Sequence, residues 1–360
     1  MMIDWTAPMQ QTYEFYIVDP RTWKDKEQIR TITKGSIKRD SSAETKGSAS
    51  FETTEMIEEC YVRTYLRVNQ NGESRRYPLG THLVQTPEKT YDGRVSTQSM
   101  DAYTPLLELK DNVPPLGYTI LGGSNILDIS YGILRGIIRA PVVKSTSYHT
   151  IGGNFVSEIN DTWLKYLTDF IANANYELDI DEMGRILFSP VIDIRSMQPV
   201  YTFNDDNSSI LQPSITISRD LYGVPNVVEA VYSQDEYSIM ARAENNDPNS
   251  PVSIPSRGRE VVARETDPDL PGTPTPEVLQ SYADGRLRDL SSLEYTVSYT
   301  HGYLPTVRVG DCVRLNYERA GLTDVKAKVI NQSISLESGC QVEETAVFTK
   351  PVMERKKRYS

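Results

Sequence analysis

The sequence predicts a mainly β protein that carries a smaller α+β part between two β-rich regions. Three observations lead to this fold class. β-favouring and polar residues alternate from about residue 13 to residue 103 and again after residue 209, as half-buried strands require. Helical periodicity is concentrated in the middle of the chain, with one further stretch near residue 280. The motif SIKRD at 36–40 returns as TISRD at 216–220, once in each β region.

The first β region is predicted to be a compact antiparallel barrel or sandwich. Its stretches TYEFYIV and ECYVRTYLRVN alternate in the manner of strands that turn one face to a core. An Asn-Gly pair within NQNGES, residues 69–74, favours a tight turn between two strands, and YDGR supplies another turn.

The middle of the chain is predicted to form two helices and a hairpin. The Pro- and Gly-rich stretch KDNVPPLGYTILGGS is typical of a linker. Apolar residues recur at helical spacing in NILDISYGILRGIIRA, with Ser124 or Asn125 placed as its N-cap. A second helix is predicted over 162–174, with Asp161 as its cap. Its apolar stripe consists of Trp163, Leu164, Leu167, Phe170, Ile171 and Ala174. The stretch YELDIDEMGRILFSPVID then predicts two strands around a turn at 181–184.

The last β region is predicted to contain an insertion with one helix. Strand patterns occur in 209–233 and in EYTVSYTHGYL, DCVRLNYERAG, DVKAKVINQSISLES and CQVEETAVFTK. Between them, TPEVLQSYADGRLRDL predicts a helix that begins at Pro276. The apolar stripe of this helix consists of Leu279, Tyr282, Ala283, Leu287 and Leu290. The chain ends in the basic stretch KPVMERKKRYS.

The repeated motif favours an internal duplication. Five similar residues also arise by chance, but strand patterns surround both copies. In each copy the isoleucine, Ile37 or Ile217, is predicted to face the core, while the Arg-Asp pair lies at the end of the strand.

Composition excludes several classes of function. The formal net charge of -11 and the pI near 5.0 disfavour a protein that grips nucleic acid, although they suit a wall past which nucleic acid slides. The 22 tyrosines suit extensive protein–protein contact, and filling of strands explains them equally well. No membrane span or secretory signal is expected. Cys60, Cys312 and Cys340 are predicted to be reduced and partly buried, as in a protein made in a cytoplasm.

No catalytic, metal or cofactor site is predicted. His82, His149 and His301 lie in loop-like or strand-edge contexts, and each is predicted to be solvated or locally hydrogen-bonded. The sequence lacks HExxH and GxSxG motifs, and its glycine pairs in LGGS and IGGN lack the lysine of a phosphate loop.

Two acidic patterns do not qualify as a calcium site or a catalytic site. The stretch DIDEMG at 179–184 begins like a calcium loop, but Pro190 stands where the bidentate glutamate belongs. The carboxylate pairs Asp205–Asp206 and Glu343–Glu344 have no recognisable catalytic context.

Four segments of the chain follow one another in an order that matches a known family. They are GSIKRDSSAETKGSASFE (35–52), DTWLKYLTDFIANANYELDIDEMGRILFSP (161–190), SITISRDLYGVPNVVEAVYS (214–233) and YLPTVRVGDCVRLNY (303–317). In this order they resemble the hub protein of a phage tail baseplate, the family of the T4-like hub and its relatives in Gram-positive phages and phage-like particles. The resemblance spans nearly the whole chain.

The resemblance implies a fold of two tail-tube-like antiparallel β-barrels with an α+β domain between them and a small insertion in the second barrel. Carried onto this sequence, the domains are the first barrel at 1–110, the α+β domain at 111–200, the second barrel at 201–242 and 300–350, the inserted subdomain at 243–299, and the basic tail at 351–360.

The resemblance also implies a function in assembly. The chain is expected to form a homotrimer that joins a sixfold tail tube to a threefold spike or tip and forms part of the channel for the genome. Expected partners are tail tube or distal tail proteins, a spike or tip protein and a tape-measure protein, with DNA only passing through the lumen. The expected location is the virion tail, after assembly in the host cytoplasm. The basic tail either reaches one of these partners or is a solvated end.

Two alternatives stay open at this point. One is a receptor- or carbohydrate-binding tail protein, which would cluster Trp or Tyr on exposed loops. The other is an unrecognised hydrolase acting on peptidoglycan. No C-terminal peptidase, lysozyme or receptor-binding extension is expected, because the sequence ends about ten residues after its last predicted strand.

Overall fold

The computed structural model describes residues 3–350 except 56, 92, 95, 207–209, 220, 235–236, 269, 271–273 and 291–292. The basic tail at 351–360 and Asp220 of the repeated motif therefore lie outside the described residues. The chain divides into two compact units. Unit 1 contains residues 1–215 and 298–346, and unit 2 contains 216–297 and the chain from 347 onward.

Seven strands come first, followed by a short helix. They are β1 (Gln10–Val18), β2 (Asp25–Ile29), β3 (Ile32–Asp40), β4 (Gly47–Thr53), β5 (Tyr61–Gln70), β6 (Glu73–Tyr91), β7 (Ser96–Tyr103) and α1 (Leu107–Lys110). The tight turn predicted within 69–74 joins β5 to β6.

The predicted helices and hairpin of the middle region follow. The elements are β8 (Thr119–Ile120), α2 (Ile126–Ile137), β9 (Phe155–Val156), α3 (Trp163–Ala172), β10 (Tyr176–Ile180) and β11 (Ile186–Pro190). Of the two predicted N-caps of α2, Ser124 and Asn125, the structure has Asn125. The predicted cap of α3 is wrong. Thr162 accepts the backbone N–H of Lys165, whereas the Asp161 carboxylate accepts the N–H of Glu158 and the ammonium of Lys165.

The rest of the chain contains nine strands and two helices within the residues described. They are β12 (Tyr201–Asn204), β13 (Leu211–Arg219), β14 (Val227–Gln234), β15 (Tyr237–Glu244), α4 (Ile254–Arg257), β16 (Val262–Thr266), α5 (Pro276–Leu290), β17 (Leu293–Gly302), β18 (Cys312–Tyr317), β19 (Leu322–Ser335) and β20 (Gln341–Lys350). The predicted helix at Pro276 is confirmed, and Leu279, Ala283 and Leu287 of its stripe are buried.

Unit 2 has a small core of its own. Its sheet has the order β15-β14-β16, and α5 packs against one face through a cluster that includes Val228, Ala230 and Ala241. On the opposite face Arg242 and Arg264 both bond to Glu229. The predicted range 201–242 of the second barrel thus includes β14 and most of β15. These two strands pair with each other, and β14 also pairs with β16.

The main sheet has 13 strands, and its order reveals two halves with the same arrangement. In the first half the order is β3-β4-β7-β6-β5-β1, and in the second it is β13-β17-β20-β19-β18-β12. When β2, which extends the sheet beyond β1, is left out, numbering the strands of each half by their place in the chain gives the same order, 2-3-6-5-4-1, in both halves. In the sequence, the strands of the unit-2 sheet and α5 lie between β13 and β17. At the corresponding place the first half has only the short turn between β3 and β4. One direction differs, because β12 runs parallel to β18 whereas β1 runs antiparallel to β5.

The mainly β, mostly antiparallel fold class is confirmed, but the strand pairing of the described residues does not close either half into a barrel. Instead, β3 of the first half pairs antiparallel with β19 of the second, so that both halves belong to one sheet. The path through this sheet ends at β2 and at β13.

The two copies of the repeated motif differ in burial. Ile37 is fully buried, as predicted, and Arg39 and Asp40 end β3. The prediction for Ile217 is wrong, since 37% of this residue is exposed. The physical reason is that β3 lies between two strands, whereas β13 has only β17 as a neighbour in the described chain.

Candidate functional site

The junction between the two halves of the sheet lies where the first copy of the repeated motif meets β19. Ser36 stands opposite Ser335, Ile37 opposite Ile334 and Asp40 opposite Asn331. Both isoleucines are fully buried and belong to one core with residues of both halves. The Asn331 side-chain amide also donates to the Asp40 carboxylate at 3.0 Å. The junction is therefore a regular strand pair that is stabilised by buried apolar side chains and by a side-chain hydrogen bond.

Arg39 ties four parts of unit 1 together at this junction. Its guanidinium donates to the Leu79 carbonyl at 2.8 Å and to Gln332 Oε1 at 3.1 Å, and it lies 3.4 Å from the Glu182 carboxylate. Arg308 reaches the same carboxylate at 2.7 Å. Burial acts to raise the pKa of Glu182, but the two guanidinium groups outweigh it and hold that pKa below its usual value. Strands of both halves and the turn between β10 and β11 thus share one ionic cluster.

A buried polar chain continues from Gln332 into the second half. The Gln332 amide donates to Glu344 Oε2 at 2.9 Å and to the Val307 carbonyl at 3.1 Å. The Tyr299 hydroxyl donates to Glu344 Oε1, and burial together with this carboxylate raises the Tyr299 pKa well above its usual value. His301 places Nε2 at 3.0 Å from Glu344 Oε2 and Nδ1 at 2.7 Å from the Gly302 carbonyl. Both ring nitrogens of His301 therefore lie within hydrogen-bond distance of an oxygen atom.

This polar chain is a structural network and not a catalytic one. The structure brings Glu344 and His301 together, although no sequence pattern links them. Both residues are at most 1% exposed. A substrate cannot approach a carboxylate whose oxygens are already held by Tyr299, His301 and Gln332. Such satisfied buried networks specify one packing arrangement.

A cavity of about 290 Å³ opens beside the junction. Residues 37–40 of the first motif and Ser41 line it, together with 79–82 of β6, the β10–β11 hairpin and the loop at 308–311. His82 is 4% exposed, and its Nδ1 has no hydrogen-bond partner. Burial, and secondarily the charge of Arg39, lower the His82 pKa to about 3, so the ring is neutral.

The histidine predictions hold for His149 and fail in part for the other two. His149 is exposed on a loop, as predicted. His301 is locally hydrogen-bonded, but it is buried within β17. His82 is buried within β6 without a partner for Nδ1. The sequence patterns GTHLV and YTHGYL do not distinguish these strand interiors from loops, since a glycine stands within two residues of each histidine.

The remaining candidate groups are dispersed. Asp179 and Asp181 lie on the β10–β11 hairpin, as predicted from the failed calcium pattern, and Asp205 forms an ion pair with Arg319. Glu343 is exposed on β20 while Glu344 is buried. The three cysteines are free, with Cys60 partly buried and Cys312 and Cys340 fully buried. Within the described part of the chain no group of three or more His, Cys, Asp or Glu side chains is arranged to hold a metal ion.

A sugar-binding site of the alternative considered above would present tryptophan or tyrosine rings on exposed loops. Among the described residues the tryptophans point inward. Trp23 and Trp163 are buried, and Trp5 packs edge-on against Tyr77 and Tyr303. No described helix is long and apolar enough to cross a membrane.

Comparison with solved structures gives clear matches over almost the whole chain. The tail protein from Neisseria meningitidis MC58 aligns with a TM-score of 0.62 at 14% identity, covering 94% of this chain and 96% of that chain. The 43 kDa tail protein of prophage MuSo2 from Shewanella oneidensis aligns with a TM-score of 0.63 at 12% identity, covering 94% and 98%. A chain of the Francisella PdpA–VgrG complex aligns with a TM-score of 0.55 at 10% identity, covering 98% of this chain and 60% of that one.

These matches confirm the predicted resemblance to phage tail proteins at the level of the fold. No family model matches the sequence, and no curated protein matches it either. Identities of this size establish a shared fold and leave function to be argued from the chain itself.

Proposed function

We propose that the chain is a structural hub of a phage or phage-like tail, a trimeric adaptor between a sixfold tail tube and a threefold spike or tip. The observation that carries the proposal is the common strand order of the two halves of the main sheet, joined edge to edge by β3 and β19. Each half corresponds in this proposal to one tail-tube-like module.

The argument from the duplication is geometric. A ring of six identical modules has sixfold symmetry, and a spike of three chains has threefold symmetry. Three copies of a chain with two similar modules present six similar units toward the tube. Because the modules differ in sequence, the same three copies present true threefold symmetry toward the spike. In this proposal the β3–β19 junction inside the chain is one of the connections between neighbouring modules of the ring.

Two further observations support a role in assembly. The neighbours in Neisseria and in prophage MuSo2 are described as tail proteins. The polar groups buried at the junction, Glu344 with Tyr299, His301 and Gln332, bond to one another, as in a network that stabilises packing.

The remaining parts of the proposal follow from the same position in a tail. Tail tube or distal tail proteins would contact one side of the ring, and a spike or tip protein would contact the other. A tape-measure protein would reach it from the lumen, through which the genome passes. The predicted domain boundaries, with barrels at 1–110 and at 201–242 plus 300–350, remain part of this proposal.

The mass of the purified protein in solution tests the proposal. Light scattering after size-exclusion chromatography should give three times the chain mass of 40.7 kDa. Averaged electron-microscope images should show a ring with six similar lobes around a central opening. An assembly whose number of chains is not divisible by three would overturn the adaptor function.

A further inference from the structure

We propose that β13 of one copy pairs with the outer part of β6, residues 86–91, of the next copy, and so repeats between chains the junction that β3 and β19 form within one. The inference rests on the proposed function, because it assumes that copies join edge to edge. It adds the two strand segments that make the contact.

The internal junction provides the template. On one side of β19, residues 322–328 pair with β18, and residues 331–335 pair with β3 of the other half. The other neighbour of β19 is β20, which follows it in the chain across a short turn. The first part of β19 thus pairs within its own half of the sheet, and its last part pairs with a strand of the other half.

β6 is the equivalent of β19 in the first half. Residues 73–83 of β6 pair with β5, and its last part pairs with β7 across the turn that follows. On the side of β5, the pairing ends at Leu83, which stands opposite Tyr61. Beyond that point the described chain offers no strand on this side. Glu88, Lys89 and Tyr91 in this part are exposed, Tyr91 to 69%.

β13 is the equivalent of β3 and carries the second copy of the motif. β3 pairs with β4 on one side and with β19 on the other, whereas β13 pairs with β17 alone in the described chain. Residues 216–219 of β13 are all exposed. Ile37 is buried where the corresponding junction is complete, and Ile217 is 37% exposed where it is open. Pairing with another copy would bury Ile217 as β19 buries Ile37.

The competing edge for β13 is β2, which ends the main sheet in the first half. β2 has no counterpart in the second half, whereas β6 holds the place in the first half that β19 holds in the second. Asp25 is also already bonded to Arg63 and to the Tyr65 hydroxyl. The shared strand order therefore favours β6 over β2.

Replacement of one apolar side chain tests the surface. In Ile217→Asp, a carboxylate would have to be buried in the new strand pair, so the trimer should dissociate to monomers in light scattering at micromolar concentration. The circular dichroism spectrum should be unchanged, because Ile217 is exposed in the single chain. Val262→Asp on β16 is the matched control, with 41% exposure on another strand, and it should remain trimeric.

Cysteine pairs identify the partner strand. Ser218→Cys is combined with Glu88→Cys, Lys89→Cys or Thr90→Cys in turn, or with Lys26→Cys on β2. Under mild oxidation at least one of the first three double variants should give covalent dimers and trimers, and the Lys26→Cys combination should give none. Cross-linking through position 26, or through none of these positions, would overturn the junction.

The two proposals fail in different ways. A wild-type trimer that survives Ile217→Asp would overturn the β13–β6 junction and leave the trimeric hub in place. A wild-type protein that is monomeric at all concentrations would overturn both.

Discussion

At the scale of single residues, His82 shows how the junction depends on a neutral ring. It lies on β6 beside the cavity, where burial and then the charge of Arg39 lower its pKa, and Gly80 lies against its ring. A Cβ at position 80 would stand 2.4 Å from His82 Cε1, so only glycine leaves room for the buried imidazole. Protonation would place a charge beside the Arg39 guanidinium, away from water.

Acid should therefore destabilise the fold through His82. Its pKa falls from the ordinary 6.5 to about 3 in the folded chain, so between these values the unfolded state binds the additional proton. The contribution of the neutral His82 ring to the free energy of unfolding is complete above pH 6.5 and is lost as the pH falls toward 3. Between pH 7 and pH 5 the free energy of unfolding should decrease by about 2 kcal/mol on this account.

Urea unfolding of His82→Phe at several pH values checks this prediction. The variant should lose most of the decrease between pH 7 and pH 5, before the carboxylates titrate. The control His149→Phe changes an exposed histidine and should keep the wild-type dependence. Equal pH dependence in all three proteins would contradict the assignment.

At the scale of elements, the hairpin β10–β11 is held to the first half of the sheet by the carbonyl groups of its turn. The Trp23 indole donates to the Met183 carbonyl at 2.7 Å, Arg63 donates to the same oxygen at 3.0 Å, and the Thr81 hydroxyl donates to the Glu182 carbonyl at 3.2 Å. Gly184 closes this turn with a φ of +73°. The turn also places Glu182 between Arg39 and Arg308, so its position decides whether the ionic cluster forms.

Gly184→Ala should destabilise the protein more than Gly72→Ala. Both glycines have positive φ, which costs an alanine about 1–2 kcal/mol. A Cβ at 184 would also lie 2.8 Å from the Thr81 Cβ, while a Cβ at 72 meets no atom within 4 Å. The clash should add roughly 1–3 kcal/mol to the loss at position 184. Urea unfolding of the two variants checks the difference, and equal losses would contradict close docking of the turn.

At the scale of the whole molecule, the common strand order and the acidic composition both bear on the proposed function. Two halves with a common strand order suit an adaptor ring, and a formal net charge of -11 suits a channel wall that does not retain DNA.

The protein should not retard short duplex DNA in gel electrophoresis, even at about 50 mM salt, where phosphate contacts are strongest. A basic protein of similar mass serves as the positive control. Retardation that weakens steeply with added salt would show a phosphate-binding surface and would contradict a passive wall.

Much of the local structure could be predicted from the sequence, because periodicity reports which face of an element is buried. The helices that contain Leu127, Phe170 and Leu287 and the hairpin turn at 181–184 are examples. The predicted N-cap of α3 was wrong because Asp161 and Thr162 both have side-chain oxygens that can cap a helix. The path of the backbone decides which of them reaches the N–H of Lys165.

The candidate site was not predicted, although one of its residues stood in the repeated motif. Arg39 belongs to the motif SIKRD, but its partners Glu182 and Gln332 are 143 and 293 positions away and carry no local signal. Polar contacts over such distances depend on how strands are ordered in the sheet.

The sequence by itself determined the mainly β class, the helical middle and the presence of a repeated motif, since alternation and helical spacing are local properties of the chain. Only the tertiary structure decided that both halves share one strand order and meet at β3 and β19. It also decided that Ile37 is buried while Ile217 is not, because burial of a strand depends on whether another strand lies beside it.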